Sequence, residues 1–323
     1  MRYKALGRGE IGIKISEIGF GTWGIGGLSR GGATSYGKTD DNESKRALQC
    51  AYDSGINFYD TSNIYGDGHS EELLGEVFKN RRDRIVIATK VGFVEHLKPQ
   101  DFSINSMTES LDGSLRRLRT DYVDICQLHS PSLDQISLGV ISEFVNKLKS
   151  QGKIRMFGIS VKSPKDCRSA VLNFGAEILQ VNFNMIDQRA LDFDIFEFVN
   201  KLNIGLVLRT PLCFGFLSGK CLNAEFGSDD HRSRWPKEQL DKWREAPNFF
   251  IEIAKKMRLT LSQLAFRFCL DQVGTTTVIP GMITVEEVME NASVSNTHPL
   301  GPIILSEIRN IYLNHSFFIA KPK

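Results

Sequence analysis

The sequence predicts a closed (β/α)8 barrel, and three observations support this fold class. Eight short apolar runs rich in β-branched and aromatic residues are spaced along the chain. Segments with apolar residues at helical spacing separate these runs, which favours parallel βαβ units. The chain has 323 residues and no break in composition. Eight units in this length are typical of one barrel domain over residues 1–323 rather than of an open doubly wound sheet.

The individual elements follow from the same patterns. A glycine-punctuated N-terminal segment predicts a β-hairpin, and the helix in 42–55 has Ala47, Leu48, Ala51 and Tyr52 on one face. Long polar segments inside a compact domain are usually functional loops, so residues 217–247 are predicted to form a loop over the barrel mouth. Barrel strands are predicted at 15–20, 56–60, 84–90, 122–129, 153–160, 177–184, 204–210 and 276–280.

Residues 19–24 read GFGTWG and satisfy G-x-G-x-x-G, the fingerprint of a Rossmann dinucleotide-binding turn. That turn requires a helix to begin at its third glycine. Gly24 is instead followed by a glycine-rich stretch, and the next helix is predicted near residues 41–42. Asp40 and Asp41 are explained as its N-terminal cap. We therefore interpret the motif as the end of the first barrel strand, with Trp23 at the mouth.

Composition and charge exclude several classes of protein. The 40 basic and 38 acidic residues are interspersed and give a net charge of +2, which favours neither nucleic-acid nor membrane-surface binding. The six cysteines are scattered without metal-ligand spacing, so we expect reduced thiols and no metal. The N-terminal segment lacks the apolar region of a signal peptide. We expect a cytoplasmic protein, a monomer or a small homo-oligomer, that acts on a small molecule.

Polar side chains end successive barrel strands. Asp60 ends the second strand, Lys90 the third and His129 the fourth. A single residue of this kind is more often a loop cap or a solvated side chain, but three ionisable groups on successive buried strands indicate a site at the barrel mouth. A buried ammonium needs a carboxylate, which makes Asp60 the expected partner of Lys90. The later strand ends carry Ser160, Gln180, Asn182 and Arg209.

Tyr65 follows Asp60 by five residues, on the loop above the same strand. One interpretation is an ordinary aromatic residue packed on the loop. The functional interpretation places its phenol beside Lys90. A nearby cation lowers the pKa of a phenol from its ordinary value of about 10, so that it exchanges a proton with a substrate oxygen near neutral pH.

At these residues the chain resembles the aldo-keto reductase superfamily, over nearly its whole length. The segments GINFYDTSNIYGDGHSEELLG, IATKVG and DICQLHSP match the family's motifs, and GIS, QVNFN, RTPLCFGFLSGK and IPGMITVEEVMEN also align. The resemblance implies a barrel that binds NADP(H) or NAD(H) across its mouth without a Rossmann domain. It also implies reduction of an aldehyde or ketone to an alcohol, with Tyr65 as general acid, Lys90 tuning the phenol, Asp60 keeping Lys90 charged and His129 orienting the carbonyl.

The resemblance also implies the ligand contacts. Ser160 and Gln180 are expected at the carboxamide, the PLCFGFLSGK loop at the pyrophosphate, and Glu290 with Asn291 at the adenine. The expected substrate contacts are Trp23, Tyr65, His129 and Trp235. The expected cofactor contacts are Gly21, Thr22, Trp23, Asp60, Ser160, Gln180, Arg209, Pro211, Leu212, Gly215, Ser218, Lys220, Ile279, Gly281, Thr284, Glu287, Glu290 and Asn291.

Two departures from the family pattern lie near the expected nicotinamide. Val161 stands where many members carry Asn, which removes one expected hydrogen bond to the carboxamide. Arg209 stands where an aromatic residue usually stacks on the nicotinamide. A planar guanidinium can stack as well, but it adds charge beside the ring.

A third departure concerns the choice of cofactor. Members that prefer NADPH hold its 2′-phosphate with cations after the eighth strand, where this chain has Gly281, Ile283 and Glu287. A carboxylate repels a phosphate but accepts hydrogen bonds from a ribose diol. We expect a weakened or reversed preference for NADPH, unless a loop cation such as Lys220 or Arg232 substitutes.

The substrate is set by loops at the mouth. Residues 231–237 read HRSRWPK and place Arg232, Arg234 and Lys237 around Trp235. The plain interpretation is a solvated loop with one packed tryptophan. The sharper hypothesis is an anion-binding lid for a phosphorylated or nucleotide-linked sugar. The predicted substrate is accordingly a sugar or a phosphorylated or nucleotide-linked carbonyl compound. Residues 26–37 are expected to add a flexible wall.

Two other classes remain open from the sequence. The same barrel could be a regulatory subunit that binds cofactor and partner proteins with little turnover. A lyase or isomerase could use Lys90 covalently, in which case borohydride with a carbonyl substrate would trap the enzyme without nicotinamide.

Overall fold

The computed structural model describes residues 1–7, 12–30, 32 and 34–320. Within them, eight parallel strands lie side by side in chain order and form the predicted barrel. The predicted N-terminal hairpin is also present, as strands β1 (Tyr3–Ala5) and β2 (Lys14–Ser16), which pair antiparallel. Residues 8–11, between these two strands, lie outside the described residues.

At least one helix lies between each two successive barrel strands. The strands are β3 (Phe20–Gly21), β4 (Phe58–Asp60), β5 (Val86–Val91), β6 (Val123–His129), β7 (Ile154–Ser160), β8 (Ile178–Asn182), β9 (Gly205–Arg209) and β10 (Thr277–Ile279). The helices are α1 (Asp41–Asp53), α2 (His69–Phe78), α3 (Ile104–Leu118), α4 (Leu138–Ser150), α5 (Cys167–Leu172), α6 (Arg189–Asp192), α7 (Ile195–Leu202), α8 (Lys237–Glu245), α9 (Ile251–Met257), α10 (Leu261–Leu270), α11 (Val285–Ser293) and α12 (Gly301–Asn314).

The barrel is closed by contacts between its first and last strands. Parallel bridges join Ile18 to Val278 and Gly21 to Gly281. A Cβ atom on Gly21 would lie 3.0 Å from the carbonyl oxygens of Ile279 and Pro280, so a side chain there would push these backbones apart. Gly21 of the GFGTWG motif therefore allows the first and last barrel strands to lie close together. The next α-helix begins only at Asp41, which excludes the Rossmann arrangement as predicted.

Alternation along the strands fills the barrel interior at one end and leaves the other end polar. Val86, Ala88 and Lys90 alternate along β5. The first two pack in the interior cluster with Phe58 of β4 and Ile15 of the hairpin. Burying a side chain of the size of Val86, Phe58 or Ile15 contributes about 1.5–3 kcal/mol to folding. Lys90 lies at the carboxyl end of the same column, where the interior opens.

The predicted loop over 217–247 is wrong for residues 237–245, which form α8. Leu240 and Trp243 are spaced by nearly one turn and are buried, and the Trp243 ring packs 5.5 Å from the Phe216 ring, centroid to centroid. These are apolar positions in an otherwise charged helix, so its polar composition concealed it. In the part of the chain that the structure describes, no helix is long and apolar enough to cross a membrane.

Candidate active site

A cavity of about 770 Å³ opens at the carboxyl ends of the strands. This volume is within the range of small-molecule sites, which is about 300–1,000 Å³. Asp60, Tyr65, His129 and Arg209 line this cavity at or just beyond the strand ends, and Lys90 contacts Asp60 and Tyr65. We call these five residues the inner end of the cavity. The outer end, between the segment after β9 and helix α11, comprises Lys220, Glu287, Glu290 and Asn291.

The inner end brings the predicted phenol, ammonium and carboxylate together. Lys90 Nζ lies 3.1 Å from Tyr65 Oη and 2.5 Å from Asp60 Oδ1. It also donates to the Thr61 carbonyl oxygen at 2.9 Å. Lys90 and Asp60 are buried, with 0% and 2% of their surfaces exposed. The three acceptors use all three ammonium protons, so the hydroxyl proton of Tyr65 is free to point into the cavity.

Local backbone geometry places Tyr65 at this position. Gly66, directly after it, has a φ of 61°, and a Cβ atom there would lie 1.9 Å from the carbonyl oxygen of Gly26. Only glycine allows this contact. The Tyr65 carbonyl oxygen accepts the backbone N–H of Ser70 at 3.2 Å, which ties the loop to the start of α2.

The expectation of a lowered pKa for Tyr65 is wrong. Burial raises the pKa of the phenol above its ordinary value of 10.0, and the effect of the Lys90 ammonium does not outweigh it. Burial alone would lower the pKa of Lys90, but Asp60 and Tyr65 raise it to above its ordinary value. At neutral pH the phenol is therefore protonated and the ammonium is charged, which is the state a general acid requires.

His129 lies beside Tyr65, with ring centroids 6.0 Å apart. Burial, the Lys90 ammonium and the Arg209 guanidinium hold the pKa of His129 well below its ordinary value of 6.5, so the ring is neutral at neutral pH. The Ser62 hydroxyl lies 3.1 Å from His129 Nδ1. Ser62 is fully buried.

The second oxygen of Asp60 is held by two glutamine amides. Gln127 Nε2 donates to Oδ2 at 3.1 Å and Gln180 Nε2 donates at 2.6 Å. Ser160 Oγ donates to Gln180 Oε1 at 3.2 Å. The residues expected at the carboxamide, Ser160 and Gln180, do line the cavity. Gln180 also serves as a support for Asp60, a role the sequence did not indicate.

Arg209 ends β9 and lines the inner end, but no carboxylate pairs with it among the described residues. Its Nη atoms contact Asn182 Oδ1, Thr210 Oγ1 and the Val161 carbonyl oxygen, each at 3.5 Å. Its Nε atom is shielded from solvent and has no hydrogen-bond partner. The guanidinium is thus held by weak neutral contacts only.

The segment after β9 begins with strained backbone. Thr210, Cys213 and Phe214 have positive φ angles of 60°, 45° and 58°. Such conformations in residues other than glycine cluster at ligand sites. The predicted pyrophosphate contacts Pro211, Leu212, Gly215 and Ser218 line the cavity here.

Acidic residues dominate the outer end. Glu287 Oε2 accepts the backbone N–H of Ile283 at 2.7 Å. Lys220 Nζ donates to Glu290 Oε2 at 2.9 Å, and Thr260 Oγ1 donates to the other oxygen of Glu290 at 3.2 Å. The cation that the sequence left as a possible substitute, Lys220, is therefore paired with a carboxylate.

Two predicted contact residues do not line the cavity. Thr284 caps α11, and its hydroxyl accepts the backbone N–H of Glu287. Trp235 is 40% exposed and packs against Trp243 at 4.9 Å between ring centroids. The other predicted cofactor and substrate residues line the cavity: Gly21, Thr22, Trp23, Asp60, Tyr65, His129, Ser160, Gln180, Arg209, Pro211, Leu212, Gly215, Ser218, Lys220, Ile279, Gly281, Glu287, Glu290 and Asn291.

The predicted anion-binding lid does not form around Trp235. Arg232 lines the cavity, but Asp230 neutralises it through hydrogen bonds to Nε at 3.0 Å and to Nη2 at 2.6 Å. Arg234 and Lys237 are exposed and do not line the cavity.

Several residues that line the cavity were not predicted from the sequence. They lie on loops, in the predicted wall at 26–37 and in the segments after β4, β5 and β9, and all of those named here except Ile64 are aromatic or polar. Gln127 could have been found, because it lies two residues before His129 on the same strand and therefore faces the same side. The missed lining residues include Thr34, Tyr36, Ile64, Phe93, His96 and Phe214.

A closed barrel with tyrosine, lysine, aspartate and histidine at its strand ends and no separate dinucleotide domain defines a class of barrel oxidoreductases. The sequence model of the Aldo/keto reductase family matches residues 17–312, so this chain belongs to that family. Membership makes the protein an oxidoreductase that uses a nicotinamide dinucleotide.

Similar proteins cover nearly the whole chain. Aldo-keto reductase YhdN of Bacillus subtilis (strain 168) is 31% identical over 297 residues, covering 87% of this chain and 85% of its own length. A probable voltage-gated potassium channel subunit beta of Arabidopsis thaliana is 27% identical over 329 residues, covering 96% of both chains.

Solved structures show the same fold. The holo form of the aldo-keto reductase AKR11C1 from Bacillus halodurans superimposes with a TM-score of 0.76 at 25% identity, covering 96% of both chains. The glycerol dehydrogenase AKR11B4 from Gluconobacter oxydans superimposes with a TM-score of 0.80 at 27% identity, covering 97% of this chain and 96% of its own.

Proposed function

We propose that this protein reduces an aldehyde or a ketone to an alcohol, with Tyr65 as the general acid. The observation that carries the proposal is the chain of hydrogen bonds from Tyr65 Oη through Lys90 Nζ, at 3.1 Å, to Asp60 Oδ1, at 2.5 Å, at the inner end of the cavity. A bound nicotinamide dinucleotide supplies the hydride. The cavity volume and the orphaned Nε of Arg209 fit a polar, partly aromatic ligand at this position.

Each side chain of the inner end has a separate role in the proposed proton transfer. Tyr65 holds its proton at neutral pH and donates it to the developing alkoxide. Lys90 then stabilises the phenolate through its hydrogen bond to Oη, and Asp60 keeps Lys90 charged. We propose that the Ser62 hydroxyl, which lies 3.1 Å from His129 Nδ1 and 3.2 Å from Asn63 Oδ1, donates its proton to Nδ1. The neutral His129 ring then carries its own proton on Nε2 and donates it to the carbonyl oxygen.

The test is a panel of carbonyl compounds assayed with NADH and with NADPH. Since no anion-binding lid forms around Trp235, the panel includes neutral aldehydes, ketones and sugars beside phosphorylated sugars. Replacing Tyr65 by Phe removes the general acid, so the reduction rate of the best substrate should fall by about 10²- to 10⁴-fold.

Cofactor binding is the control for this variant. The dissociation constant of Tyr65→Phe for the reduced cofactor should remain within about fivefold of that of the original protein, which corresponds to about 1 kcal/mol, because the proposed role of the Tyr65 hydroxyl is to donate a proton to the substrate. Turnover that survives the substitution would show that another group donates the proton.

We further propose that the protein prefers NADH to NADPH. The Glu287 carboxylate occupies the outer end, where it accepts the Ile283 backbone N–H and repels a 2′-phosphate. The two candidate cations are committed, Lys220 to Glu290 and Arg232 to Asp230. Michaelis constants for the two cofactors with one substrate test this proposal, and a lower constant for NADPH would contradict it.

A second function is favoured by one observation, the 27% identity to the probable potassium channel subunit beta of Arabidopsis thaliana. In a regulatory subunit, this barrel would bind cofactor and a partner protein and turn over slowly. The panel distinguishes the two functions, since a regulatory subunit would bind NADH but reduce every compound of the panel only slowly.

A further inference from the structure

Arg209 introduces an uncompensated positive charge at the inner end of the cavity. The carboxylates that act on it electrostatically are Asp187 and Asp60, and both have other partners. Asp187 accepts from Arg189 at 2.7 Å and from Asn182 at 2.5 Å. Asp60 is paired with Lys90.

The charges of the inner end therefore do not cancel. Lys90 and Asp60 neutralise each other, Tyr65 is protonated, and His129 is neutral because its pKa lies well below 6.5. The guanidinium of Arg209 remains, and its positive charge acts on both Tyr65 and His129: it opposes the rise in the pKa of Tyr65 that burial causes, and it adds to the fall in the pKa of His129. The inner end thus carries one excess positive charge at neutral pH.

A nicotinamide that reacts with a carbonyl held by Tyr65 must lie at this same end. Its reduced ring is neutral, whereas its oxidised ring carries a positive charge. Two positive charges at short distance repel each other strongly where water is excluded. A planar guanidinium stacks on either ring, but only the oxidised one is repelled.

We propose that Arg209 distinguishes the two oxidation states of the cofactor, so that the protein binds the reduced dinucleotide more tightly than the oxidised one. This inference rests on the proposed function. The balanced reaction is carbonyl plus NAD(P)H plus a proton to alcohol plus NAD(P)⁺. As the ring loses hydride it gains the charge that Arg209 repels, and the oxidised cofactor leaves readily after reduction.

The experiment measures dissociation constants for NADH and NAD⁺ by calorimetry, without substrate or turnover. We expect the original protein to bind NADH at least about tenfold more tightly than NAD⁺. In Arg209→Gln the neutral amide removes the repulsion, and the ratio should approach one because the affinity for NAD⁺ increases. Arg209→Lys retains the charge without the planar group and should keep most of the ratio.

Control variants show whether the charge of Arg209 itself is responsible. Arg234→Gln removes an exposed cation from the connection that follows β9, outside the cavity, and should leave the ratio of the NADH and NAD⁺ affinities unchanged. Arg209→Met is a second neutral variant, for use if the Gln variant does not fold. A ratio near one in the original protein, or an unchanged ratio in the neutral variants, would overturn the inference.

The outcomes also separate this inference from the proposed function. If the protein reduces carbonyl compounds but binds NADH and NAD⁺ equally, Arg209 has no such role and the proposed function stands. If neither dinucleotide binds, the proposed function itself fails. Loss of the ratio in Arg209→Lys as well as in Arg209→Gln would show that the planar shape, and not the charge, is responsible, which also overturns the inference.

Discussion

The two ends of the cavity hold their charged groups in different ways. At the inner end, Lys90 and Asp60 are buried and each contacts three partners. At the outer end, Glu287 is half-exposed and its side chain is held by a single backbone N–H, that of Ile283.

Because of this difference, substitutions at the two ends of the cavity should affect different properties. A buried group with several partners cannot be changed without disturbing its neighbours, because each neighbour loses a partner away from water. A half-exposed group can be changed with little effect on folding. We therefore expect substitutions at the inner end to alter stability and catalysis together, and substitutions at the outer end to alter cofactor preference alone.

The largest effect is expected from Lys90→Met. The substitution leaves the Asp60 carboxylate buried without its counter-ion, which should lower the free energy of unfolding by about 3–5 kcal/mol. Carbonyl reduction should also be lost, since nothing stabilises the phenolate. Urea denaturation and the reduction assay measure the two effects.

A double variant is the control for this prediction. Asp60→Asn with Lys90→Met removes both charges, so stability should recover in part while reduction stays lost. Full activity in Lys90→Met would contradict the assigned role of the ammonium.

The next effect concerns the pH dependence of stability. The folded state holds the pKa of His129 well below 6.5, so the unfolded chain takes up this proton first as the pH falls. The contribution to stability is complete above about pH 6.5 and is lost progressively below it. The free energy of unfolding of His129→Asn, measured at several pH values below 6.5, should fall less steeply with decreasing pH than that of the original protein. The two slopes should differ by about 1.4 kcal/mol per pH unit. Identical slopes for the two proteins would show that His129 titrates normally.

A smaller effect is expected from Ser62→Ala. In the proposed tautomer the Ser62 hydroxyl donates to His129 Nδ1 and so keeps the His129 proton on Nε2, and the substitution removes this donor. One neutral hydrogen bond is worth about 0.5–1.5 kcal/mol, so kcat should fall by about threefold to tenfold while cofactor affinity is unchanged. Nitrogen NMR of His129 should report the change of tautomer. In the His129→Asn background the Ser62 substitution should have no effect on kcat, and a persisting effect would mean that Ser62 acts by another route.

The smallest effect is expected at the outer end, from Glu287→Gln. The amide oxygen can still accept the Ile283 N–H, but the charge that repels a 2′-phosphate is gone. The affinity for NADPH relative to NADH should rise by about fivefold, or about 1 kcal/mol, with a change in unfolding free energy below about 0.5 kcal/mol. Glu286→Gln, an exposed neighbour on α11, should change neither quantity. If both glutamate variants gained the same affinity for NADPH, the gain would come from the change in the net charge of the protein and not from the position of Glu287.

Most residues of the inner end could be predicted from the sequence, because they follow recognisable strand patterns. Asp60, Lys90 and His129 each end an apolar run, and parallel strands bring their carboxyl ends together. The direction of the Tyr65 pKa shift could not be predicted, because it depends on how far burial outweighs Lys90, and burial is a property of the folded loop. The charge balance around Arg209 required coordinates for the same reason.

Loops and the segment before α9 were less predictable. Tyr36, Phe93 and Phe214 line the cavity from three connections that are distant in sequence, and no periodic pattern marks them. Helix α8 was missed because the burial of Trp243 depends on the aromatic cluster around Phe216 and not on a continuous apolar face.

The seam that closes the barrel at Gly21 has a consequence for synthesis of the chain. A hydrogen bond at this seam, from Thr277 Oγ1 to the Glu17 carbonyl oxygen, joins residues 260 positions apart. Gly21 and Thr22 on one side of the seam and Ile279 and Gly281 on the other share the cavity wall. A nascent polypeptide emerging from the ribosome therefore has no complete pocket until its last barrel strand is made. Ligand binding cannot assist the early stages of folding.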